Sequence, residues 1–359
     1  MVANQRKNVK NFTYWRVLMS TTAQRKRASG SLFGLALGDA SGAETEFLQY
    51  DEIISRFPPD RPRHLIGDPI RVTDDTQMTI AVGNALLEAA WPCTPTTVEQ
   101  PLRRAFIAWN DSPDNNRAPG MTCMDACHKL ARGLAWYDAT VMGSKGCGAN
   151  MRVAPVGLLP AGEDGITGET RAALAQFQAA LTHGHPTALA ASDLTAAALV
   201  DLVAGGDPGG LPQRLHAYAL SQRTIYHEDW LGPLWQRSHY ASTQEYIARG
   251  WDECLQVLDR LEQALVIKDR QGDPCQYTGA GWIAEEALAT GLFCFLLYPD
   301  DPLAAIRRAA ASSGDSDSIA CLTGAFAGAY KGVAAWPSEW IERIEYRDQL
   351  AKLGEMWDR

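Results

Sequence analysis

Several features that would narrow the class of this protein at once are absent from its sequence. Its 359 residues hold no apolar run near the ~20 that a membrane-spanning helix requires, so no membrane role is expected. No apolar stretch of the length of a secretory signal follows the early basic residues. The eight cysteines form no CxxC pair. Scattered thiols without a signal suggest free cysteines in a reducing cytoplasm, not a disulfide frame or a zinc site. Sustained two-residue alternation is missing, which leaves little room for half-buried strands. There is no fixed-period repeat and no low-complexity tract. The net charge of −9 argues against nucleic-acid binding by the body of the chain. Acidic residues are missing in one place: residues 1–27 contain no Asp or Glu, yet hold Arg6, Lys7, Lys10, Arg16, Arg25, Lys26 and Arg27. The remainder then carries about −16. This boundary divides the chain into a basic arm, 1–27, and one helical domain, 28–359.

Alanine and leucine dominate that domain. Helical patterns recur at about 76–90, 98–110, 121–136, 169–181, 187–204, 242–268, 282–298, 302–313, 318–331 and 338–353. The intervening loops are rich in turn formers, as in NDSPDNNRAPG and AGGDPGGLP. An all-α fold is expected. In SGSLFGLALGDASGAETEF, Gly30, Gly34, Gly38 and Gly42 recur every four residues. Each costs about 1 kcal/mol relative to alanine inside a helix, so close packing against another backbone must offset the loss.

Two stretches share an acid–hydroxyl design. Residues 72–79 read VTDDTQMT and residues 312–318 read SSGDSDS, each entering a helical pattern. The simple reading of each is a helix cap. DDTQM lacks the third acid of aspartate-rich prenyl-diphosphate enzymes. GDSDS follows AAASSG near the end of the chain, where a dehalogenase-type nucleophile motif follows an apolar strand near the start. It also lacks the glycine and glutamate of an EF-hand loop. If the two stretches meet, four carboxylates share one small space. Two such charges at 4 Å repel by about 1 kcal/mol in water and about 4 at an effective dielectric of 20. A domain of ~5–15 kcal/mol net stability cannot carry several such pairs without protonation or a divalent cation. Oxygen donors from Asp, Thr and Ser suit Mg²⁺, Mn²⁺ or Ca²⁺.

Two further stretches are compatible with an anion. GSKGCGANMRVAPVGLL (143–159) is a glycine-rich loop entering an apolar segment, either a plain turn or a phosphate cradle. LTHGHPTALAAS (181–192) places His183 and His185 before a helix, as caps, core hydrogen-bonders or phosphate contacts.

In this order the stretches resemble the ADP-ribosylglycohydrolase family, which includes the dinitrogenase-reductase-activating glycohydrolases. The matching segments are GDASGAETEF, VTDDTQMT, GCGANMRVAPVGLL, THGHPTALAAS, GAGWIAEEALATGLFCFL and SGDSDSIACLTGAFAGAYKG, over residues 30–332. The resemblance implies a single compact multi-helix domain with a central dinuclear metal cleft holding two divalent cations, Mg²⁺ or Mn²⁺. It implies that Thr73, Asp74, Asp75 and Asp317 bind one metal and Asp315, Asp317 and Ser318 the other. It places Glu46 beside the metals. It puts Ser144, Lys145, Gly146, Cys147 and His183 along a diphosphate, and Trp282 beside an adenine. Members commonly read GDTDT where this chain has GDSDS, and often carry Asn where Cys147 stands.

The implied activity is hydrolysis of the N-glycosidic bond of ADP-ribosyl-arginine on a modified protein. The general base would be one of Glu46, Asp74, Asp75 and Asp317. The arm has plain readings as a tail, a transit peptide or a misassigned start. Its NFTYWRVLM segment also has the composition of an interface anchor around Trp15 and Arg16. Some members with such extensions resemble immunity proteins that block an ADP-ribosyltransferase toxin. On that reading the arm would bind the toxin while the body reverses its damage. The alternatives are a stoichiometric binder with little need for catalysis, or a hydrolase of a serine or small-molecule ADP-ribose linkage.

Overall fold

Gly30, Gly34, Gly38 and Gly42 lie along one face of a helix over Arg27–Ala43, nearly every residue of which is buried. Its partner is the helix over Ser316–Lys331, running the opposite way. A Cβ built on Gly34 would fall on the carbonyl of Gly324, one on Gly38 on that of Ala320, and one on Gly42 on that of Ser316. Gly324 and Gly328 reciprocate, each facing the carbonyl of Gly34 or Gly30. Two backbones therefore touch along four turns, and the helix-propensity loss is offset by this contact.

The computed structural model describes residues 26–58, 64–161 and 166–358. Over these it is 69% helical, with 18 α-helices and no sheet. The all-α expectation holds. Isolated bridges such as Ile70 with Ile344 and Val141 with His183 are the only extended pairings among the described residues. The arm residues Trp15 and Arg16 lie outside the described residues. Arg27, counted with the arm by charge, is the first residue of the glycine-striped helix. Its guanidinium donates to the carbonyls of Leu202 and Val203 at 2.7 and 2.9 Å.

Around the glycine pair the remaining helices form one core. Pro186–Val203 and Ala284–Leu297 are apolar nearly all round and are buried accordingly. The first has the length and hydropathy of a membrane span, but 78% of it is buried within the fold. Thr243–Ile267 is amphipathic and covers both, burying Tyr246, Trp251, Leu258 and Leu261.

Most predicted helices match within a few residues, and the exceptions have local causes. The pattern at 121–136 is two helices, Met121–Ala131 and Trp136–Ala139, parted at Gly133 with its positive φ of 83°. The single helix expected over 338–353 is also two, Ser338–Arg343 and Arg347–Trp357. Between them Ile344 pairs with Ile70, and Tyr346 takes φ 58°. Tyr50–Arg56 and Leu211–Gln222 are helices that the sequence pattern did not announce.

Candidate active site

The antiparallel glycine contact decides where the acids go. It sets the end of Arg27–Ala43 against the start of Ser316–Lys331. The chain then turns, pinned by Thr45, whose hydroxyl donates to the carbonyls of Gly42 and Ala310 at 2.9 and 2.7 Å. Glu46, one residue on, meets the second acid motif: Glu46, Asp315 and Asp317 each offer a carboxylate oxygen within 4.8 Å of the others. Asp39, on the glycine helix itself, reaches the first acid motif. It is fully buried and accepts from the amides of Thr73 at 3.0 Å and Thr76 at 3.1 Å, and from the Thr76 hydroxyl. Asp39 thus holds the mouth of the Asp74–Glu88 helix from outside. The two acid motifs do meet, 240 residues apart in sequence.

Capping explains only part of these motifs. Thr73 is the N-cap of its helix and accepts from the Asp75 amide at 3.4 Å. Asp315 stands at the N-cap of its helix but its carboxylate makes no cap bond. Instead it accepts from the Cys147 thiol at 2.8 Å. Asp74 accepts from the Gly120 amide, in another loop, at 3.2 Å. Asp75 is 2% exposed, and its Oδ1 has no hydrogen-bond partner at all.

Six carboxylates therefore gather, and among the described residues no Lys or Arg is ion-paired to any of them. Burial, and then the charge of Asp317, raises Asp39 and Asp74 to about 7. The same two causes raise Glu46 to about 9 and push Asp75 and Asp315 well above the usual carboxylate range. A cluster that holds protons at neutral pH for lack of a counter-charge is one that a divalent cation fits. The orphaned Asp75 oxygen and the oxygen-only donors favour a hard cation.

Glu46, Asp74, Asp75, Asp315, Asp317 and Ser318 line one side of a cavity of about 320 Å³. Gly146, Cys147, His183 and Trp282 line the other. His183 is 1% exposed, and burial lowers it to about 3, so it is neutral. Its Nδ1 lies 2.8 Å from the Thr182 hydroxyl. That hydroxyl already accepts from Arg152 at 2.8 Å, and its alternative acceptor, the Ala179 carbonyl, is 3.4 Å away. A Thr182 proton directed to this nearer acceptor puts the imidazole proton on Nε2. Nε2 stands beside Gly146 and Gly148, where a side chain would crowd it. Trp282 is stacked on Phe47, with centroids 5.6 Å apart and planes 20° apart, both rings exposed.

Three residues that the resemblance puts in the site are not part of the cavity lining. Thr73 is one, since its hydroxyl is used as a cap. Ser144 is another: its hydroxyl pairs with that of Thr122 at 2.9 Å and accepts from the Gly146 amide. The third, Lys145, is turned away from the cavity. Its ammonium is paired with Glu253 at 2.8 Å and with Glu285, which ties the glycine loop to the neighbouring helices. His185, the other histidine of THGHP, is a cap, accepting from the Thr187 amide at 3.2 Å.

The family model for ADP-ribosylglycohydrolases matches residues 20–359. This chain belongs to the ADP-ribosylglycohydrolase family. It is 24% identical to the ADP-ribosyl-[dinitrogen reductase] glycohydrolase of Rhodospirillum rubrum over 92% of this chain and 94% of that one. It is 25% identical to the ADP-ribosylarginine hydrolase Tri1 of Serratia proteamaculans over 92% and 78%. A solved ADP-ribosylglycohydrolase-related protein complex shares the fold, with a TM-score of 0.66 and 22% identity over 94% of this chain and 99% of that one. The family is one of metal-dependent hydrolases that act on ADP-ribosylated substrates. Sequence reasoning passed over two residues of this ADP-ribosylglycohydrolase. Asp39 had a signal, a lone acid within an apolar glycine-striped helix. Phe47 had none beyond its place after Glu46.

Proposed function

We propose that this protein is an ADP-ribosylarginine hydrolase, releasing ADP-ribose from arginine side chains of a modified protein. The observation that carries the reading is five carboxylates along one wall of a cavity, with a sixth, Asp39, buried behind them, and no Lys or Arg among the described residues ion-paired to any of them. Asp74, Asp75, Asp315, Asp317 and Ser318 would hold two divalent cations, Mg²⁺ or Mn²⁺, and Thr73 would join them on releasing its cap. Bound there, the cations would supply Lewis-acid polarisation of ribose hydroxyls and a water of lowered pKa.

The chain's own groups do the rest. Glu46, beside Asp315 and Asp317, takes the water's proton once its high affinity for protons has been relieved. His183 donates from Nε2 to a diphosphate oxygen without adding charge. The Gly146–Gly148 backbone lets that diphosphate approach closely. The Trp282–Phe47 pair forms an aromatic wall for the adenine. Arginine as the linkage is supported by the similarity to the ADP-ribosylarginine hydrolase Tri1 of Serratia proteamaculans. A toxin-blocking role would fall on arm residues outside those described, and the hydrolase reading stands without it.

The test is release of ADP-ribose from arginine-modified and serine-modified proteins, with and without chelator. Chelator-sensitive release from arginine alone is the expected result. Release from serine alone, or release indifferent to chelation, overturns the reading.

A further inference from the structure

A second cavity, of about 340 Å³, lies between the helix Tyr50–Arg56 and the last turn of the helix Pro302–Ala310. None of its lining residues belongs to the acid-lined cavity. Its character is the reverse. Arg56, Arg270, Arg307 and Arg308 all line it, together with Tyr50 and Tyr298. We propose that this cavity binds a phosphate oxyanion.

The argument rests on where these guanidinium groups find partners. Arg56 is paired with Glu52 at 2.7 Å. Arg270 lies over the Tyr298 ring, 4.9 Å from its centroid, and donates to the Leu297 carbonyl at 3.0 Å. Arg308 has no such partner among the described residues. It is 6% exposed, and its buried Nε and Nη2 make no hydrogen bond. The buried Nε of Arg307 makes none either. Nε and Nη2 form the side-on fork of arginine. Elsewhere in this chain that fork grips carboxylates: Arg214 holds Asp201 at 2.8 and 2.6 Å, and Arg223 holds Asp252 at 2.6 and 2.7 Å.

Asp269 is close enough for the Arg308 charge to help lower it, but it and Asp273 make their hydrogen bonds elsewhere. Asp269 accepts from the Gln271 and Gly272 amides and the Tyr277 hydroxyl, at 2.8, 2.9 and 2.7 Å. Asp273 accepts from the Cys275 and Ser313 amides, at 3.1 and 3.3 Å, and from the Ser313 hydroxyl. The Tyr50 phenol donates to the Gln271 carbonyl. A guanidinium does not lose its charge on burial, and a lone buried charge is costly unless something answers it. Four guanidinium groups around one small space match the charge and the several acceptor oxygens of a phosphate. Free phosphate and the phosphate of a nucleotide share that chemistry.

Calorimetric titration of the full chain in magnesium buffer tests this, with inorganic phosphate and AMP as separate probes and sodium chloride as the ionic-strength control. The expected result is saturable binding that Arg308→Met weakens by roughly 10-fold or more and Arg270→Gln weakens too. The melting temperature of Arg308→Met without phosphate should hold or rise, because a buried guanidinium with unmet hydrogen bonds is gone. Tighter binding of AMP than of phosphate identifies a nucleotide as the source, and equal affinity identifies free phosphate. No saturable heat from the wild type with either probe overturns the proposal. So do equal heats from the wild type and both variants.

Discussion

Asp39 and Thr73 are 34 residues apart, yet both carboxylate oxygens of Asp39 accept from the Thr73 amide at 3.0 Å. A buried acid on one helix thereby caps the helix that presents Asp74 and Asp75. Truncation strands the amides of Thr73 and Thr76 without acceptors. Asp39→Ala should therefore cost about 2 kcal/mol by chemical denaturation. Displacing Asp74 and Asp75 by about 1 Å should lower turnover by about 100-fold. Asp39→Asn keeps one acceptor and should lose less stability than Asp39→Ala. Activity of Asp39→Ala within a few-fold of wild type would remove Asp39 from the site's framework.

The glycine contact makes a prediction of the opposite kind, where adding an atom does the harm. A Cβ at Gly38 lands on the Ala320 carbonyl, which is backbone and has nowhere to go. Gly38→Ala should cost about 3 kcal/mol. It should also part Glu46 from Asp317, which the same helix pair brings together. Gly168→Ala serves as the control. It opens a helix, and a Cβ there meets nothing within 4 Å. That variant should be neutral or slightly more stable.

These two cases show what was legible in the sequence. The four-residue glycine spacing announced a close helix contact, and the acid–hydroxyl repeats announced a charged centre, because both are local patterns. The meeting of Asp75 with Asp317 is not local; the motifs raised it only as a condition, and the family resemblance implied it. Asp39 escaped notice because nothing in SLFGLALGDASG says that its carboxylate reaches Thr73 and Thr76. The ion pairs of Lys145 were hidden for a related reason. The resemblance puts it along a diphosphate, while Glu253 and Glu285, which pair with its ammonium, lie more than 100 residues later. The break at Tyr346 was invisible because its cause is the pairing of Ile344 with Ile70.

Trp282 and Phe47 stack at the cavity mouth while both remain partly open to solvent. Neither ring touches the acids' hydrogen-bond network, so their part is in holding substrate. Trp282→Ala should raise KM by roughly 2- to 10-fold, the worth of one aromatic contact, and leave kcat nearly unchanged. Steady-state kinetics on an ADP-ribosylated protein gives the split. A large fall in kcat at constant KM would place Trp282 in the chemistry instead.

The acid centre also predicts how stability depends on pH when metal is stripped. Asp39 and Asp74 rise to about 7 and Glu46 to about 9 in the folded chain, from ordinary values of 3.8 and 4.5. The folded state then binds more protons than the unfolded state, so raising the pH removes stability. That contribution is complete below the unfolded values and is lost as pH climbs through 7 towards 9. Buried His183, held at about 3, acts the other way, but only below its unfolded value of 6.5. Between about pH 6.5 and 9 the melting temperature of the chelated protein should therefore fall steadily. With excess Mg²⁺ or Mn²⁺ the fall should largely vanish, because a cation answers the charges that protons otherwise mask. Asp317 is a cause of the raised values of Asp39, Glu46, Asp74, Asp75 and Asp315 alike. Asp317→Asn should accordingly flatten the metal-free curve and melt higher than wild type at pH 8, while losing hydrolase activity. A variant that melts lower at pH 8 in chelator would show that Asp317 supports the fold rather than straining it for the sake of the site.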